Sequence, residues 1–136
     1  MAFISWIEDY ETGIASIDEQ HRQLVDIVNR FDDAARRGRG SRVMNDILNE
    51  LIGYTQEHFA HEEKLMADAG FPGLKQHQAC HRQLLQKVER LHFDYARDGR
   101  RVTTEVRELL RYWVQSHILN DDMAFMRHNN LQASEV

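Results

Sequence analysis

The stretch EHFAHEEKLM, residues 57–66, sets two histidines and three glutamates within seven positions, directly before Leu65 and Met66. The chain carries eight histidines in 136 residues, and helical spacing turns five of them toward apolar partners. His21 follows Ile17 by one turn and precedes Leu24 by another, and the progression Leu51, Thr55, His58, Glu62, Leu65 puts His58 and Glu62 on a single stripe. His77 and His81 lie between Leu74 and Leu84 or Leu85, and His117 sits one turn after Trp113. Burying five imidazoles without partners costs several kcal/mol in total. A metal offsets that cost, because neutral imidazole is the commonest protein metal ligand. His61, His92 and His128 fall off these stripes and read as surface or peripheral groups, and Glu57 and Glu63 read as solvated positions.

The elements that position these residues follow from the punctuation. Gly13, Gly38 and Gly40, then Gly70, Pro72 and Gly73, then Gly99 separate four segments of helical periodicity. They predict helices over about 17–37, 41–69, 74–97 and 104–129. Ser16 and Glu19 have the spacing of a capping box at the first helix, and Gly70 suits the end of the second. The inward stripes are Ile17, Leu24, Val28, Phe31 and Ala35; Met44, Ile47, Leu48, Leu51 and Leu65; Leu84, Val88, Leu91 and Tyr95; and Val106, Leu110, Trp113, Val114 and Phe125. Four such helices joined by short loops predict an all-α fold, an antiparallel up-down-up-down four-helix bundle. Residues 1–15 form an irregular N-terminal arm, pinned by Phe3, Trp6 and Tyr10. In that topology His21, His58, Glu62, His77, His81 and His117 all fall at one end of the bundle and converge in one layer.

The length fits a single domain spanning 1–136, with enough chain to bury a core. Hydrophobic residues at 42% and charged residues at 29% are ordinary globular values. The net charge of -5 argues against nucleic acid as the main partner. No apolar run is long enough for a membrane span, and no export signal is visible. Cys80, the one cysteine, has no internal disulfide partner, which points to a reducing cytoplasm.

Four motifs, IDEQH, HFAHEEKLM, HQACH and HILNDD, together with a GFPGLKQH turn and a Trp-containing arm, resemble in order those of the hemerythrins, specifically the bacterial single-domain bacteriohemerythrins. The resemblance covers nearly the whole chain. It implies a non-haem di-iron site that binds molecular oxygen reversibly, with two iron ions joined by an oxo or hydroxo bridge. Carried onto this sequence, one iron takes His77, His81 and His117, and the other takes His21 and His58. Glu62 and Asp122 bridge them as carboxylates, leaving one position open for oxygen on the two-histidine iron. Helix geometry alone favours Asp121, one turn after His117, whereas the family spacing selects Asp122. A local π-bulge would help the latter.

Phe59, Trp113, Val114 and Ile118 are the expected apolar neighbours of the oxygen pocket. A dry pocket with no acid or base favours reversible binding, for oxygen transport, storage or delivery, over catalysis. An oxygen or redox sensor and a di-iron oxidase or peroxidase are the alternatives. Cys80 is expected to point away from the metals. The loops ARRGRGSR and ARDGRR gather Arg36, Arg37, Arg39, Arg42, Arg97, Arg100 and Arg101 at the opposite end. They read either as a solvated cap or as a docking face for an acidic, oxygen-consuming partner protein.

Overall fold

A computed structural model describes residues 3–98, 104–117, 125 and 127. After a short 3₁₀ turn at Glu8–Tyr10 come α1 (Ala15–Arg36), α2 (Ser41–Asp68), α3 (Leu74–Asp98) and α4 (Thr104–Ser116). His117 directly follows α4 in π-helical conformation. Ile118, Asp121, Asp122 and His128 lie outside the described residues, as do Arg100, Arg101 and the side chains of Tyr95, Arg97 and Val106.

Cross-helix contacts fix the antiparallel arrangement. Ser16 at the start of α1 meets His61 late in α2, and Arg30 late in α1 reaches Glu50 early in α2. Arg107 near the start of α4 bonds Asp32 near the end of α1 at 3.0 Å. The Trp113 indole N–H donates to the Leu84 carbonyl of α3 at 3.1 Å. Most of the expected inward residues are buried: Leu24, Val28, Phe31, Met44, Leu48, Leu51, Val88, Leu110, Trp113 and Val114 join one apolar cluster, with Ala35, Ile47, Leu84 and Leu91 partly buried against it. Truncating a residue such as Leu24 to alanine there would cost about 2–5 kcal/mol. A smaller cluster of Ile17, Met66 and Phe125, backed by Leu65, Phe71 and Leu74, closes the end of the bundle. Among the described residues no helix is long and apolar enough to cross a membrane.

Two glycines end helices in the left-handed region. Gly38 (φ 67) follows α1 and Gly70 (φ 65) follows α2. In each case the next amide reaches back to a carbonyl five residues earlier: Arg39 to Ala34 at 3.0 Å, and Phe71 to Met66 at 2.9 Å. This closure terminates the helix and turns Phe71 onto the end cluster.

The start of α1 differs from expectation. Ile14 is its N-cap, with no side-chain cap bond, so the Ser16–Glu19 capping box is not made. Asp18, in the first turn, instead ties the arm to the helix start. Its carboxylate accepts the Thr12 amide and hydroxyl, each at 2.7 Å, and the Gly13 amide at 3.2 Å. The arm also relies on a residue that the sequence reading did not single out. Ile4 is buried, and Asn29 holds its backbone in both directions, at 2.7 and 2.8 Å. Tyr10 is buried, while Phe3 and Trp6 are partly buried against the same core. At the far end, Arg36 and Arg37 are paired with Asp32 and Asp33 one turn earlier.

Burial pushes the Asp18 carboxyl up, but hydrogen bonds from Thr12, with others involving Glu11 and Gly13, outweigh it and hold the group below the ordinary aspartate range. A depressed folded-state value means the stabilisation is present above the unfolded value and is lost as pH falls through the folded one. Asp18→Asn should therefore lower stability by about 1–2 kcal/mol near neutral pH. In urea unfolding the gap to the unsubstituted chain should close only below about pH 4.

Candidate metal centre

All six of the described residues expected in the layer are buried. His21, His58, Glu62 and His117 are fully buried, and His77 and His81 are 5% and 2% exposed. Their helical positions explain the convergence: one turn inside the start of α1, the last third of α2, the first two turns of α3 and the end of α4. The layer is sandwiched between the main apolar cluster and the end cluster, so both its faces are dry.

Glu62 is the hub. Its Oε1 contacts His58 Nε2, lies 3.0 Å from His117 Nε2 and is 3.9 Å from His81 Nε2. Two groups of buried donors share this residue, His21, His58, Glu62 and His117 on one side, and Glu62, His77 and His81 on the other. Within each group the ligand atoms lie within 4.8 Å of one another. One carboxylate common to two donor sets is the arrangement a bridging ligand requires. His117 falls in the His21–His58 group, whereas the resemblance assigned it to the His77–His81 side. Its ring stands between the two, 5.2 Å from His58 and 5.3 Å from His81.

The donor set fits iron. Imidazole nitrogen with a carboxylate suits a first-row transition metal. Glu62 Oε2 is buried with no hydrogen-bond partner among the described residues. A buried carboxylate oxygen in that state is costly unless a cation satisfies it.

Two residues that orient the ligands were missed in the sequence. Glu63, expected in solvent, accepts the His81 Nδ1–H at 2.9 Å. Gln20 accepts the His58 Nδ1–H through its amide oxygen at 2.7 Å. Protonation at Nδ1 presents Nε2 as the ligating nitrogen in both rings. Glu63 could be read only as the residue after a ligand, and its meeting with His81 depends on how α2 and α3 pack. Phe59 stacks on the His81 ring with centroids 3.8 Å apart and planes 2° from parallel, and it lies 5.0 Å from His117. Trp113 and Val114 are buried beside it in the same cluster. His61 is partly exposed at the bundle surface and bonded to Ser16 at 2.9 Å. His92 is likewise partly exposed. Neither joins a donor group, nor does half-buried Cys80.

The sequence matches the hemerythrin HHE cation binding domain across residues 12–128. The chain belongs to the hemerythrin family. It is 36% identical to a bacteriohemerythrin of Pseudomonas aeruginosa over 93% of this chain and 81% of that protein. It is 30% identical to one from Clostridium acetobutylicum, over 89% of this chain and 97% of that one. A crystal structure of wild-type hemerythrin superimposes with a TM-score of 0.85 at 26% identity, covering 93% of this chain and 97% of the other. Hemerythrins typically bind oxygen at a pair of non-haem irons.

If Glu62 joins two metals, its removal should affect both. Glu62→Ala is expected to abolish most metal binding, whereas His77→Ala should weaken chiefly the His77–His81 side. Metal analysis of the purified variants checks this, and undiminished iron in Glu62→Ala would contradict the shared-ligand geometry.

Proposed function

We propose that this chain binds molecular oxygen reversibly at two irons held in the histidine layer, and serves to transport, store or deliver it. The observation that carries the reading is the sharing of Glu62 by two buried donor groups. In this reading His77, His81 and His117 would hold one iron and His21 and His58 the other, the His117 ring being almost equidistant from His58 and His81, and Glu62 and Asp122 would serve both. When bound there, two ferrous ions would supply the two electrons that reversible oxygen binding requires.

The protein's part is to place, seal and limit. Gln20 and Glu63 hold two of the ligand rings in fixed orientation. Phe59, Trp113 and Val114 offer oxygen an apolar wall, and Ile118 is assigned to the same pocket. These side chains carry no acid or base to drive cleavage of the oxygen–oxygen bond, which supports a carrier rather than an enzyme. Excluding water from the site keeps binding reversible. We place this role in a reducing compartment, the cytoplasm, consistent with a lone cysteine, where an oxygen-consuming protein would receive the cargo.

The test is gas uptake by the diferrous protein. One oxygen should be taken up per two irons, with a visible charge-transfer band, and both should reverse under vacuum. One-step oxidation without a reversible form would favour the di-iron oxidase or peroxidase alternative. Val114→Thr keeps the side-chain shape but adds a hydroxyl that can hold water. It should shorten the lifetime of the reversible form several-fold, measured as decay of that band in air.

A further inference from the structure

The hydrogen bonds behind two of the ligand rings, His81 and His58, are not equivalent. His81 donates its Nδ1–H to a carboxylate, Glu63, and His58 donates its own to a neutral amide, Gln20. The distances are similar, 2.9 and 2.7 Å, so the difference is one of charge rather than length. A hydrogen bond to an ionised acceptor is roughly twice as strong as a neutral one. It draws the Nδ1 proton away from the ring and makes the opposite nitrogen more basic toward a metal.

The geometry favours transmission of this effect. The His81 side chain is 2% exposed and Glu63 is 26% exposed, so the carboxylate reaches from a partly hydrated position into a ring that water does not reach. Phe59, stacked flat against His81, prevents that ring from turning out of line. The two contacts lie at different helix interfaces, Glu63 on α2 toward α3 and Gln20 on α1 toward α2.

We propose that Glu63 and Gln20 are positioning residues that make the two halves of the centre unequal. The anion behind His81 makes the His77–His81 half the tighter and more electron-rich one. The amide behind His58 leaves the His21–His58 half looser. This inference rests on the di-iron reading above. It deepens that reading by giving Glu63 and Gln20 separate control over how firmly each half holds its iron.

The test uses the iron-loaded, diferrous protein and follows transfer of iron to a ferrous-specific chelator. The unsubstituted chain should lose its two irons in separate phases. Glu63→Gln keeps the hydrogen bond but removes the charge, and should speed the slow phase by about 10–100-fold while leaving the fast phase in place. Gln20→Glu should do the reverse and slow the fast phase. These opposite movements separate a charge effect from a structural link between helices, which would speed both phases together or neither. If Glu63→Gln does not fold, Gln20→Glu decides alone: a slower fast phase supports the proposal and an unchanged one overturns it. Two irons leaving in a single phase from the unsubstituted chain would also overturn it. Fewer than two irons in that chain would instead count against the di-iron function itself.

Discussion

Five imidazoles and one carboxylate, buried in a single layer between two apolar clusters, are the constraint around which this protein is built. Polar groups placed there cannot turn to water, so the layer must satisfy itself. Every helix contributes to it, and the helix ends are arranged to deliver those contributions at the same height. The left-handed glycines stop α1 and α2 cleanly, and the Gly70 turn also delivers Phe71 to the lid over the layer. At the start of α1, the Asp18 bonds to Thr12 and Gly13 anchor the arm only one turn from His21.

This explains why so much was legible without coordinates. His58 and Glu62 one turn apart, or His77 and His81 one turn apart, state a helix face as well as a chemistry. The apolar residues between them state which way that face points. What could not be read was whatever depends on two helices meeting. Glu63 looked solvated because on α2 alone it sits beside the inward stripe, and only the approach of α3 brings His81 to it. Ser16 looked like a cap because spacing within one segment suggested so, yet its hydroxyl is engaged by His61 from α2. Ile4 escaped notice because an irregular arm has no periodicity to mark a buried position.

The same layer separates the duties of the surrounding residues. Phe59 serves the apolar wall and also holds a ligand ring by stacking, so its size and flatness matter more than its hydrophobicity alone. Trp113 is fixed by its bond to the Leu84 carbonyl, which makes that wall rigid and ties α4 to α3. Among the described residues the far end of the bundle carries none of this chemistry. There the buried Asp32 gathers Arg36 and Arg107 and closes α1 against α4. Rigidity at that end supports geometry at the other.

The central claim is that Glu62 stands between two metal ions. Diffraction from crystals of the iron-loaded protein, with anomalous scattering recorded at the iron edge, tests it most directly. The account predicts two iron peaks, both in contact with the Glu62 carboxylate, one toward His77 and His81 and the other toward His21 and His58. A single peak, or two peaks of which only one touches Glu62, would contradict it.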